Sequence, residues 1–259
     1  MNAFIWTLAV LAVVLVAAGC RWQFWRPVKR GFLSLMYHHL GVTDKKDGQF
    51  PFTIPPQQFE TQLEMLKKHG FTFIGLRELK ESFEKQSSLP SRPVLLTFDD
   101  GYADHFDALF PLLKKHNAKA LIFLITDCVG KPGYLTWEQI RQMQQSGLVD
   151  FGSHTHTHAR LRKLGNEKAL KELSLSKRLI EENLHMPCEA FCYPFGSGGF
   201  DKRIRPLVFQ AGYLFDFSTK PGINPWPWNP KKTLLRAFPR GGETPTDFYI
   251  QITRGKSKF

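Results

Sequence analysis

At 259 residues, with 42% apolar and 22% charged side chains, the chain is long enough for one large core, too short for two ordinary domains plus an anchor, and far from the signature of disorder. Its net charge of +12 is untouched by the first 20 residues, none of which is charged, and favours anionic partners such as phospholipid headgroups or teichoic-type polymers. The Lys and Arg residues form no zinc-finger, RNP-type or helix-turn-helix pattern, so no nucleic-acid partner is expected.

Residues 1–20 read as a signal, lipoprotein or membrane-anchor segment: Ala3 to Gly19 is an uncharged, mostly apolar run ending at Cys20. Its length lies between a spanning helix and a signal-peptide core. The run VAAGC resembles a bacterial lipoprotein processing site, which implies lipidation of Cys20, although Ala17 stands where leucine is usual and no Lys or Arg precedes the run. Residues 21–30 form a basic linker.

From residue 31 to 259 a single catalytic domain is expected, because short apolar runs alternate with amphipathic stretches in the manner of βα units on a parallel sheet or barrel. FLSLMYH reads as a strand. A helix begins at Thr53-Ile-Pro-Pro, with Phe59, Leu63 and Leu66 on one face and Gly70 as its stop. FTFIG and LRELKESFEK repeat the alternation, VLLTF is a buried strand, DALFPLLKKH a helix and AKALIFLI a buried strand. TWEQIRQMQQSG is a helix with a Thr start and a Gly stop. LVDFGSH, the long helix EKALKELSLSKRLIEENL, the strand EAFCYPF, a helix from Arg203 to Gln210 and the strand YLFDFS follow, and then a Pro-rich loop bearing Trp226 and Trp228. The count is about six or seven units, short of the eight of a full barrel. Cys128, Cys188 and Cys192 imply no disulfide framework, and the last two read as small packing residues beside a strand.

Two motifs carry chemistry. In Thr97-Phe98-Asp99-Asp100-Gly101-Tyr102 a buried strand runs into paired carboxylates, and strand C-termini line the active sites of parallel α/β folds. Adjacent carboxylates repel unless a metal or a proton neutralises one. In Ser153-His154-Thr155-His156-Thr157-His158, again at a strand end, two imidazoles add to one carboxylate to make a common triad for Zn²⁺ or a similar ion, with positions left open for water and substrate. Either motif alone is as readily a helix cap or a solvated loop; together on successive strand ends they point to a metal site.

TFDDG, HTHTH and the later CYPFG resemble the successive motifs of the polysaccharide deacetylase family, also called the NodB-homology or carbohydrate esterase 4 family, across residues 31–240. The resemblance implies a deformed (β/α)7 barrel, with Asp99 as general base and Asp100, His154 and His158 as ligands of a divalent metal, Zn foremost and Co, Ni or Mn as alternatives. His156 is then a spare loop histidine. The strand ending Met36-Tyr37-His38-His39 resembles that of membrane-linked members such as the poly-N-acetylglucosamine deacetylases, which places His38 at the active site.

The chain departs from the family twice. Cys192 stands where the third motif carries an arginine that holds the base, so Arg236 or Arg240 is expected to substitute; the late Leu-x-His motif has no counterpart, which makes His38 the candidate acid. Asp216 falls near the fourth motif. Tyr102, Tyr193 and Phe195 are candidate substrate and oxyanion contacts, the last through its backbone N–H, and Trp226 and Trp228 offer further sugar-stacking faces. The function implied is metal-dependent removal of N-acetyl groups from an amino-sugar polymer such as peptidoglycan, poly-N-acetylglucosamine or a chitin-like glycan, by a monomer tethered at its N-terminus. Its alternatives are a deacylase of another amide or ester glycan (a formyl-sugar lipid, acetylxylan) and a glycan-binding pseudo-deacetylase. Arg21, Arg26, Lys29 and Arg30 would hold the domain in the cytoplasm under the positive-inside rule, whereas a glycan substrate places it outside, the side expected here.

Overall fold

The computed structural model describes residues 2–22 and 31–255. The N-terminal apolar run forms helix α1 (Asn2–Trp22). Its apolar side chains stay largely exposed, Trp6 by 71% and Val13 by 67%. Among the described residues no helix is long and apolar enough to cross a membrane. The side chain of Cys20 and those of the basic linker, Arg21, Arg26, Lys29 and Arg30 included, lie outside the described residues.

The segment from residue 31 onward alternates strand and helix much as its apolar periodicity predicts. Strand β1 (Leu33–Tyr37) is followed by the short pair β2 (His39–Leu40) and β3 (Thr53–Ile54), helix α2 (Pro56–Lys68), β4 (Thr72–Phe73), α3 (Leu76–Glu84) and β5 (Pro93–Phe98). Next come α4 (Phe110–His116), β6 (Ala120–Leu124), α5 (Trp137–Gln145), β7 (Val149–Ser153), α6 (Asn166–Leu184), β8 (Ala190–Cys192), α7 (Ile204–Gln210), β9 (Phe215–Phe217) and α8 (Pro245–Arg254). The Thr136 hydroxyl accepts from the Gln139 amide and the Gln139 side chain accepts from the Thr136 amide, so α5 starts on a closed capping box. Helix α4 starts later than expected, because a π turn occupies His105–Leu109.

Seven parallel strands form one curled half-barrel sheet in the order β1-β5-β6-β7-β8-β9, with β4 beside the start of β5. The segment from Leu234 to Ala237 lies against both edges, bridged to Phe217 of β9 and to Leu35 of β1. Strand alternation then sorts the side chains into two cores. Leu95, Leu121, Phe123, Ala190, Cys192, Phe217 and Leu234 fill the inside of the curl, while Leu35, Tyr37, Leu96, Phe98, Ile122 and Phe191 pack under the helices. A large apolar side chain in either core contributes about 1.5–3 kcal/mol by leaving water. The register that buries these residues also fixes which polar residues turn inward at the C-terminal mouth.

Candidate active site

Asp99 continues the inward series Leu95, Thr97 off the end of β5, and Arg236 continues the inward series from Leu234. Both are buried, Arg236 completely. The guanidinium grips the carboxylate with both arms, Nη1 to Oδ1 at 2.6 Å and Nη2 to Oδ2 at 2.8 Å. Its remaining donors reach Thr97 Oγ1 at 3.0 Å, the Ser218 carbonyl at 2.9 Å and Cys192 Sγ at 2.9 Å. Burial alone would raise the pKa of Asp99, but the charge and hydrogen bonds of Arg236 outweigh it and hold the carboxyl well below the usual range. Arg240 makes no such contact; its guanidinium lies over the Phe238 ring.

Asp100, His154 and His158 bring one ligand atom each within 4.8 Å of the others. Asp100 Oδ1 is 3.5 Å from His154 Nε2 and 3.4 Å from His158 Nε2, and it is buried without a hydrogen-bond partner. His154 Nδ1 lies 2.8 Å from the Cys192 carbonyl, so its proton sits there and leaves the Nε2 lone pair aimed at the cluster. Burial, reinforced by the neighbouring His154, lowers the pKa of His158 to about 4, so this imidazole is neutral near pH 7, as a ligand must be. An orphaned carboxylate oxygen facing two imidazole nitrogens fits a divalent cation. Asp100 (φ 75°), Thr155 (φ 67°), His158 (φ 58°) and Phe195 (φ 57°) all hold left-handed backbone without being glycine. Such strain persists where the surroundings over-determine it, and it gathers at functional sites.

His38 Nε2 is 3.9 Å from Asp99 Oδ2. Burial lowers the pKa of this imidazole, with Asp99 and Asp100 pulling the other way. Its carbonyl accepts from His105 Nε2 at 2.6 Å, an anchoring contact not expected from the sequence. The Tyr102 ring stacks on His39 at 3.6 Å, and His39 Nδ1 pairs with Asp104 at 2.7 Å. Phe195 is 52% exposed, and its ring covers His158 at 4.5 Å.

Several expected contacts fall elsewhere. Tyr193 is fully buried on the outer face of β8, where its hydroxyl donates to Asp216 Oδ2 at 3.0 Å, so its ring presents no face to a sugar. Asp216 also points outward and takes both arms of Arg205, at 2.8 and 3.0 Å. Trp226 donates to the Ser87 carbonyl and Trp228 to the Lys232 carbonyl, and Trp228 packs on Phe83 and Phe215. His156 turns to Thr126, with Nδ1 3.0 Å from the hydroxyl. Cys188 is a buried packing residue, whereas Cys192, read as another, also touches Arg236 and lies 3.7 Å from Asp99. That contact was foreshadowed by its place in the third motif.

The sequence profile of the polysaccharide deacetylase family matches residues 86–215, half of the chain. The chain is similar to YxkH of Bacillus subtilis, 29% identical over 73% of this chain and 64% of that protein. It is likewise similar to the poly-beta-1,6-N-acetyl-D-glucosamine N-deacetylase of Staphylococcus aureus, 28% identical over 64% of this chain and 61% of that one. It thus spans less than two thirds of the length of these curated relatives. Among solved structures, the Streptococcus pyogenes deacetylase PplD in complex with acetate superposes with a TM-score of 0.77 at 26% identity, over 87% of this chain and 99% of that one. The chain belongs to the polysaccharide deacetylase family of hydrolases, the NodB-type carbohydrate esterase 4 group.

Proposed function

We propose that this chain is a divalent-metal-dependent N-deacetylase that hydrolyses acetamide groups on an N-acetylated amino-sugar polymer. The observation that carries the reading is the adjacency of two differently treated carboxylates, Asp99 locked by Arg236 and Asp100 turned to His154 and His158. Supporting it are the N-deacetylase activity named for the Staphylococcus aureus relative and the acetate bound to PplD. Zn is the expected metal from the mixed carboxylate and imidazole set.

Asp100, His154 and His158 would hold a divalent ion, which would lower the pKa of a water and polarise the acetamide carbonyl. Asp99 takes the proton of the attacking water. Its pKa, held down by Arg236, keeps the base ionised at any working pH and weakens its proton affinity. His38, 3.9 Å away, gives that proton a short route to the leaving amine, and we assign His38 as the acid. The Phe195 amide N–H is assigned to the oxyanion and the Tyr102 ring to the sugar.

Acetate release from N-acetylglucosamine oligomers and peptidoglycan tests this, with wild type compared with Asp99→Asn and with chelated enzyme before and after Zn is restored. Release that stops in Asp99→Asn and returns with metal is expected. Turnover confined to acetylxylan or a formyl-sugar lipid, or metal bound without any turnover, would replace the reading with one of the rival ones.

We also infer that the N-terminus tethers the domain to a membrane on the extracytoplasmic side, as an anchor or through lipidated Cys20, and that the enzyme is a monomer. The support is the uncharged run Ala3 to Gly19, whose helix leaves its apolar side chains exposed. Palmitate labelling that is lost in Cys20→Ala and altered by globomycin is the expected result for the lipidated form; membrane retention without label is expected for the anchor.

A further inference from the structure

Beside the mouth, the loop after β8, helix α7 and the segment that follows β9 enclose a cavity of about 820 Å³. Four of its lining side chains, Lys202, Lys220, Lys231 and Lys232, are ammonium groups. Among the described residues none of the four has a carboxylate within salt-bridge distance, although partnered lysines are common elsewhere in the fold, as at Lys80–Glu189 and Lys177–Glu181. The one carboxylate lining the cavity, Asp201, is occupied by Arg162 at 3.1 Å and by the amides of Arg203 and Ile204. Arg205, also in the wall, is neutralised by Asp216. Phe200 is 58% exposed, and the Lys220 ammonium stands 5.0 Å from the centre of its ring.

The cavity does not end there. A smaller one of about 310 Å³ shares Phe200, Asp201 and Lys202 with it and runs to Gly196 and Gly198. Gly196 follows Phe195, whose ring lies 4.5 Å from that of His158 and 3.6 Å from the Arg160 guanidinium. A path therefore runs along the loop from Gly196 to Lys202 into the large cavity, with the exposed ring of Phe200 and the ammonium of Lys202 along it.

We propose that this path is an extended subsite for an anionic glycan strand, one whose sugars carry carboxylate or phosphate groups beside the acetamide to be cleaved. The inference rests on the deacetylase reading above and narrows its substrate class. The chemistry is complementary at both levels: sugar rings present C–H faces to the exposed ring of Phe200, and the strand's acidic groups meet lysines that have no acid of their own. The lysines line a concavity interrupted by aromatic rings, the shape of a strand and not of a flat headgroup plane. The same charge repels the product, because each deacetylation creates an ammonium on the strand. Heavily deacetylated stretches are thereby kept out of the path.

The test uses two probes that differ only at C6, an N-acetylglucosamine hexamer and the same hexamer with its C6 hydroxymethyl groups oxidised to carboxylates. Kinetics on both are measured for the wild type and for the combined Lys220→Gln, Lys231→Gln, Lys232→Gln variant, with equilibrium binding measured in the Asp99→Asn background. The wild type is expected to favour the carboxylated hexamer about tenfold, chiefly in KM, the order that three solvent-screened charge pairs reach together. That ratio should fall towards one in the triple variant and on raising ionic strength from about 0.01 M to about 1 M. Equal handling of the two hexamers by the wild type, or a preference that survives in the triple variant, would overturn the proposal. So would a triple variant whose only loss is binding to phosphatidylglycerol vesicles, which would make the lysines a membrane contact. Absence of acetate from either hexamer would sink the deacetylase reading, and the binding measurement would still decide this one.

Discussion

Arg236 and Asp99 face each other from segments 137 residues apart, and the guanidinium holds both carboxylate oxygens within the buried mouth. The pair is almost wholly buried, so removing one member leaves an uncompensated charge. Arg236→Ala should destabilise the fold by about 3–5 kcal/mol. Arg236→Lys keeps the charge but loses the two-armed grip; it should fold, with a kcat reduced about 10- to 100-fold because the base is no longer held in place. Thermal melts and acetate-release kinetics on the two variants separate these effects. Equal kcat in wild type and Arg236→Lys would show that the grip is dispensable.

The two motifs that supply most of the centre were legible because each sits where an apolar strand stops abruptly at polar residues, at Phe98-Asp99 and Ser153-His154. A strand end is a local signal and needs no knowledge of the rest of the fold. Arg236 was not fixed by such a signal. Its position depends on the segment Leu234–Ala237 lying against both sheet edges, a long-range event that leaves Arg240 an equal candidate in the sequence alone. Tyr193 was misplaced for a local reason that strand alternation resolves: Ala190 and Cys192 point into the curl, so Phe191 and Tyr193 must point out. Helix α8 went unread although Thr244 and Pro245 mark its start, the Thr244 hydroxyl capping the Asp247 amide at 3.2 Å. The aromatic loop before it reads as a sugar platform, but its tryptophans pack on the inner core instead.

A fitted metal site should register as folding stability. Zn²⁺ at about 100-fold above its Kd stabilises a protein that binds only when folded by about 2.7 kcal/mol, which at this chain length raises Tm by roughly 5–10 °C. A rise of that order in the chelated wild type upon adding Zn²⁺, lost in His154→Ala, is the expected result of differential scanning fluorimetry. A rise retained in His154→Ala would locate the ion elsewhere.

Asp150 should set a pH-dependent part of stability away from the centre. Its carboxylate accepts the Leu76 amide at 2.6 Å, yet burial, aided by the charge of Glu78, raises its pKa. A carboxyl whose folded-state pKa is raised binds its proton more tightly in the folded chain. Its favourable contribution is therefore complete below the ordinary carboxylate pKa of about 4 and is lost as pH rises through the folded value. Asp150→Asn mimics the protonated form. Melting the two proteins across pH should show equal stability near pH 4 and an advantage for the variant near pH 7. A variant that is less stable at every pH would mean that the Leu76 hydrogen bond, and not the buried charge, governs the position.

The two tyrosines beside the motifs should part company under mutation, because one faces the substrate side and the other the helices. Tyr193→Phe removes a buried hydroxyl from Asp216, which retains Arg205 and Thr233. The expected loss is about 1 kcal/mol, or some 2–4 °C in Tm, with KM for an acetylated oligomer unmoved. Tyr102→Ala strips the ring that stacks on His39 and borders Asp100, and should raise KM about tenfold with a smaller change in Tm, since one sugar-stacking contact is worth on the order of 1 kcal/mol. The contrast discriminates better than either variant alone. A KM effect from Tyr193→Phe would require the β8 strand end to rotate when substrate binds, bringing the outer face of the curl to the mouth.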